Sequence, residues 1–181
     1  MINKFLKGTG VKTEEDAMRN SIVAALQHNP TYRADVTYKQ KDAFRKSLSD
    51  SLRKCAPNYN NVVSDEEHIK VINKICQSLS AQHSQILRNS RLRVGTVQKA
   101  LNLYLKFLWC LDQKRAVPPH CPIDRNILAE AGLDESWTKL DSIEIYMSWV
   151  SQLRRVAQEK GCQSLQLWEL SVWNKKSLNN K

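Results

Sequence analysis

What this chain lacks narrows it before what it contains. No CxxC pair occurs, and the five cysteines, Cys55, Cys76, Cys110, Cys121 and Cys162, are scattered and odd in number. That argues against a zinc ribbon or an iron–sulfur cluster, so no metal and no other cofactor is expected. Cys76 and Cys110 fall on apolar helix faces and read as core thiols, which fits a reducing, cytoplasmic setting. No apolar run approaches the ~18 residues that a bilayer span needs, and no signal-peptide pattern opens the chain, so no membrane association is expected. Strand-like alternation of useful length is absent, and so are internal repeats.

What is present suffices for one domain. The chain has 181 residues, 41% of them hydrophobic, enough for a single core. Its formal net charge is +10 and its pI about 9.5. Such a field favours a polyanionic partner, nucleic acid before an anionic membrane, although plain solubility is the simpler consequence.

Helical periodicity dominates. Residues 1–12 are short and basic and are expected to be a flexible end. Thr13-Glu14-Glu15-Asp16 is a capping signal for a helix to about Gln27, which Asn29-Pro30 ends. Phe44, Leu48 and Leu52 line one face of a basic helix over about 38–55, and Ser64-Asp65-Glu66-Glu67 caps another that can continue to Leu87. A long apolar helix is predicted over about 96–111 and a short one over 124–131, with Gly132 as its stop. Two more follow, from Asp141 or Ser142 to about Gly161 and from Ser164 to about Asn174. The tail, 175–181, is expected to be disordered. The expected fold is all-α: one domain over 13–174 with six or seven helices.

Two segments can carry chemistry. A glycine ahead of a helix, as in Arg93-Val94-Gly95-Thr96, can adopt positive φ and expose neighbouring amides to an anion, with Arg91, Arg93 and Lys99 supplying charge. The plainer role of such a glycine is a turn. Downstream, Pro118, Pro119 and Pro122 stiffen the approach to Asp124, which opens a helix. An aspartate there is commonly an N-cap and nothing more.

In combination these segments resemble the helix-hairpin-helix DNA glycosylase superfamily. The stretch from Val94 to Leu101 is similar to the second half of its hairpin, Pro122-Ile123-Asp124 to its catalytic signature, and Gly132-Leu133 to the residues that follow; about forty residues are covered. Arg93 stands where that hairpin usually has its first of two glycines, and 29 residues separate Gly95 from Asp124, a longer spacing than the pattern suggests. The lysine of bifunctional members has Val97 and Gln98 in its region here, with Lys99 slightly beyond. The resemblance therefore implies a monofunctional DNA N-glycosylase that leaves an abasic site.

Under it, Asp124 is the catalytic residue, stabilising oxocarbenium-like charge and orienting water. Arg91, Arg93, Gly95, Thr96, Gln98 and Lys99 contact DNA. His120, Trp109, Tyr104 and Tyr32 are base-pocket candidates, each also readable as a structural residue. DNA is the expected partner, with no obligate protein partner. The family includes bacterial antiviral enzymes that excise modified cytosines from phage DNA, and a short member without a cysteine cluster is compatible with that kind. The alternatives are a non-catalytic nucleic-acid-binding helical protein and a helical protein-interaction module.

Overall fold

Three helices begin with reciprocal capping boxes. Thr13 accepts from the Asp16 amide while Asp16 reaches back to the Thr13 amide, and Thr37 with Gln40 and Ser64 with Glu67 repeat the exchange. These boxes start α2 (Glu14–Leu26), α3 (Tyr38–Cys55) and α4 (Asp65–His83). In the computed structural model, residues 1–179 are described, with side chains described through Lys175. The other helices are α1 (Ile2–Thr9), α5 (Val94–Leu111), α6 (Arg125–Glu130), α7 (Ile143–Glu159) and α8 (Leu165–Asn179). The expected all-α fold holds: eight α-helices are present among the described residues, with one isolated bridge, Tyr32 to Leu87, as the only extended pairing there.

Both ends differ from expectation. Residues 2–9 form α1, whose Phe5 is buried and lies 5.0 Å from the Phe107 and Trp173 rings. One aromatic anchor thus orders a segment that composition alone marks as frayed. The expected disordered tail is helical through Asn179, and residues 180–181 lie outside the described residues. The helix after Ser64 stops at His83, short of Leu87.

The centre is α5, buried along nearly its whole length. It packs against α1, α2, α4, α7 and a short helical turn at Trp137–Lys139. A helix enclosed on all sides should be apolar all round. This one carries Gln98, Lys99, Asn102 and Lys106, all buried, so each needs a partner. Lys106 pairs with Glu169 of α8 and lies 3.8 Å above the Phe5 ring.

Asn102 sits in a directed chain of hydrogen bonds. The Tyr59 hydroxyl donates to His68 Nδ1 (2.7 Å), and His68 Nε2 donates to Asn102 Oδ1 (2.9 Å). Asn102 Nδ2 donates to the Tyr146 hydroxyl (3.0 Å), which donates to His120 Nδ1 (2.7 Å). His120 Nε2 donates to Asp65 Oδ1 (3.1 Å), and Arg154 clamps Asp65 with two bonds of 2.6 and 2.7 Å. With both histidines neutral, each tyrosine O–H has an imidazole acceptor; a proton added at Nδ1 turns that bond around and leaves the tyrosine O–H without a partner. Burial, and for His68 also the neighbouring His120, holds His68 down at about 3; burial holds His120 down at about 4. The Arg154 hydrogen bonds hold Asp65 down at about 2.

Acid should therefore unfold this protein early. Unfolded histidines take up protons near pH 6.5, whereas His68 and His120 in the fold resist until about 3 and 4. Stability falls as pH drops through that window, and Asp65 adds a loss below its unfolded value. Unfolding free energies from urea titrations at pH 7, 5.5 and 4.5 should fall steadily, by on the order of 5 kcal/mol in total; a flat profile contradicts the buried chain. Lys106→Met should cost about 3–5 kcal/mol by leaving Glu169 uncompensated, and adding Glu169→Leu should recover most of it.

Candidate functional site

The site is assembled where the first turns of α5 meet the loop that leads into α6. Gln98 clamps that loop: its side-chain amide donates to the Ile123 carbonyl (2.8 Å) and its oxygen accepts from the Ile123 amide (3.1 Å). Asn102 holds the Cys121 carbonyl at 3.0 Å. Asp124 follows at the N-cap of α6, where its Oδ1 accepts from the amides of Asn126 (2.9 Å) and Ile127 (3.1 Å). Its other oxygen accepts from Lys99 Nζ at 2.7 Å.

Lys99 is nearly enclosed, its side chain 9% exposed, while that of Asp124 is 31% exposed. Burial pushes the Asp124 carboxyl upward, but the Lys99 ammonium and the two helix amides outweigh it, so the group lies below its ordinary value. The result is a carboxylate that is ionised, fixed in direction and open to solvent on one side.

The amide-lined bend expected at Gly95 is not what the fold builds. Positive φ among glycines occurs at Gly10, Gly132 and Gly161, and Gly95 lies inside the first turn of α5. Its amide donates to the Leu140 carbonyl (2.9 Å), and the Thr96 and Val97 amides turn to the Arg93 carbonyl (3.1 and 3.3 Å). A Cβ at Gly95 would stand 1.9 Å from the Trp137 carbonyl oxygen. Glycine is required here for close approach, not for an anion. Thr96 is buried and accepts from Asn29 Nδ2 (3.0 Å), and Gln98 is wholly enclosed, so neither presents its polar group to open solvent. Arg91 is exposed and paired with Asp141, while Arg93 donates to the Thr138 carbonyl.

The four base-pocket candidates are dispersed, His120, Trp109 and Tyr104 in the interior and Tyr32 half-buried. His120 belongs to the directed chain, and Tyr104 donates to Glu14 at 2.6 Å. Trp109 is buried beside a narrow cleft bounded by Leu105 and Pro118. Tyr32 stands edge-on to Phe44, 5.5 Å away. None borders the hollow beside α6, a space of about 590 Å³ lined by Arg125, Trp137, His28, Ser136 and Thr138, with Asp134 and Glu135 also on its wall. The Asp124 side chain does not line it, but Arg125 is its chain neighbour. Trp137 and His28 escaped the sequence reading. The available signal was a tryptophan outside any helical period, whereas Trp149, Trp168 and Trp173 recur with aliphatic neighbours.

No protein-family model, curated protein or solved structure matches this chain. The fold and site define an all-α protein built on a buried central helix, with a lysine-paired carboxylate exposed at a helix start. No group of three or more potential metal ligands is gathered among the described residues, and no helix there is long and apolar enough to cross a membrane.

Gly95→Ala separates the two roles of this glycine. Close packing predicts a stability loss of about 2–3 kcal/mol in urea unfolding, as overpacking against backbone produces. An anion-binding bend instead predicts unchanged stability and weakened DNA affinity.

Proposed function

We propose that the protein is a DNA N-glycosylase that excises a modified or damaged base, with Asp124 as the catalytic carboxylate. The observation that carries this reading is the Asp124–Lys99 pair: a partly exposed carboxylate, ionised and fixed by three hydrogen bonds, in a protein of formal net charge +10. Cleaving an N-glycosidic bond develops positive charge on the sugar, and a pre-oriented carboxylate lowers the energy of that state without reorganising. The base must first leave the stack, at a cost of a few kcal/mol, and needs a receptor. The hollow beside α6 is the receptor we assign, with the half-buried Trp137 ring as a stacking surface and Ser136, Thr138 and Arg125 as polar contacts. Asp124, ionised, orients a water toward the anomeric carbon and takes the proton that water loses as its oxygen bonds there, while the base departs with the electron pair of the broken C–N bond and a proton from solvent. An antiviral role against phage DNA with modified cytosines is the biological setting this reading favours.

The cap geometry favours a second reading. Both the Asn126 and Ile127 amides rest on Asp124 Oδ1, so the residue has a complete structural role as an N-cap in a non-catalytic nucleic-acid binder. The Lys99 amine, 2.7 Å from Asp124, also bears on the chemistry. If its ammonium proton passes to Asp124, the amine can add to the anomeric carbon as the bond to the base breaks; return of that proton to the ring oxygen opens the sugar to a Schiff base, and loss of a C2′ proton to solvent then expels the 3′ phosphate.

Asp124→Asn keeps a good capping group but also takes the counterion from the nearly enclosed Lys99 ammonium, so urea unfolding of the variant accompanies the assay. Base release from duplexes carrying modified cytosines, read as alkali-labile sites, should fall by at least a hundredfold while duplex affinity persists. Absence of release by the parent protein on every modified duplex favours the cap-only reading. Borohydride trapping of a protein–DNA adduct that Lys99→Gln abolishes identifies the lysine route.

A further inference from the structure

We propose that the notch between the 29–31 turn and the 88–93 loop is a phosphate-binding site built from arginine side chains. Arg88, Arg91 and Arg93 line it together with Asn29, Pro30, Thr31 and Thr96. Three guanidinium groups within six residues make a strong positive focus. Asp141 offsets Arg91, and Arg93 is partly engaged by the Thr138 carbonyl, whereas the Arg88 guanidinium has no ion pair among the described residues.

Two buried polar atoms point to a missing ligand. Thr31 and Asn29 are 6% and 8% exposed, both line the notch, and Thr31 Oγ1 and Asn29 Oδ1 have no hydrogen-bond partner. Asn29 Nδ2 is occupied by the Ala25 and Thr96 oxygens, which fixes the amide and leaves Oδ1 as the orphan. Buried groups of this kind are normally satisfied. A phosphate oxygen accepts from the Thr31 hydroxyl, and an arginine N–H drawn in beside it fills the Asn29 oxygen.

The rims are held in place. The Arg88 amide donates to the Thr31 carbonyl (2.9 Å), the Arg33 amide to the Ile86 carbonyl (3.0 Å) and the Leu92 amide to Ser80 Oγ (2.8 Å). Between them Asn89 and Ser90 take φ of 56° and 57°, two consecutive left-handed non-glycine residues. That conformation is costly and persists only where its surroundings enforce it. The notch is a closed crease with no room for a water-sized sphere as it stands, so the anion lies over its rim and the arginine side chains shift to let it reach Thr31.

The anion can be a free phosphate or a backbone diester. The diester assignment rests on the excision reading: Thr96 lines the notch and Lys99, one turn further along α5, holds Asp124, so phosphate and reacting sugar would share one face of that helix. The phosphate chemistry itself does not depend on that reading.

Amide spectra of the full chain, titrated with inorganic phosphate and separately with an 11-base-pair duplex, test it. Both ligands should shift the signals of residues 29–31 and 88–93, and Arg88→Gln and Thr31→Val should each abolish the phosphate shifts. Arg88→Gln should weaken duplex binding about tenfold and reduce the slope of log affinity against log salt by about one. Shifts with phosphate but not duplex identify a free-phosphate site and overturn the diester assignment. No shifts at these residues with either ligand, or unchanged affinity in both variants, overturns the notch. Duplex seated at the notch without any base release keeps this proposal and removes the excision reading.

Discussion

The structure depends on satisfying the polar stripe of α5. Gln98, Asn102 and Lys106 recur every four residues and so lie along one line of the helix, with Lys99 beside it. All four are buried by the helices and loops around them. An unsatisfied buried amide costs about 1–3 kcal/mol and an unpaired buried charge several more. The stripe therefore dictates what must lie opposite it: the Ile123 backbone for Gln98, the Cys121 carbonyl and two aromatic side chains for Asn102, Glu169 for Lys106 and Asp124 for Lys99. A proline-rich loop with little apolar content of its own is positioned by these bonds. The exposed carboxylate stands where it does because a central helix demanded partners.

The same principle redistributes positive charge. Of the helix amides that could have received a phosphate, that of Gly95 is taken by the Leu140 carbonyl and those of Thr96 and Val97 by the Arg93 carbonyl. What remains for an anion is side-chain charge at Arg88, Arg91 and Arg93, which salt screens more effectively than a buried helix end. Acid sensitivity has a related origin. Two histidines are enclosed with their donors and acceptors fully used, so an added proton puts a charge in the interior and strips a tyrosine O–H of its acceptor.

Much of this was legible from residue spacing. Capping at Thr13 and Ser64, the breaks at Asn29-Pro30 and Gly132, and the apolar helix faces are local effects, written within four or five positions of one another. Asp124 as the start of a helix was equally local. The failures were all long-range. Phe5 looked like part of a frayed end because its stacking partner Phe107 lies about a hundred positions away. Gly95 looked like an open turn because the carbonyl that closes on it belongs to Leu140. His120, Trp109, Tyr104 and Tyr32 were grouped by chemical type, and the fold sent each to a separate interior partner.

The sequence by itself determined the helices from α2 to α8, their limits to within a few residues, and the presence of a carboxylate at the start of α6, because capping and periodicity act over one or two turns. Only the tertiary structure decided that Lys99 would face that carboxylate, that Trp137 would wall the hollow along α6, and that three arginines would meet Thr31 at a notch. These pairings are set by which polar groups a packed interior leaves unsatisfied. No local rule can state that, because the partner is chosen by burial and not by distance along the chain.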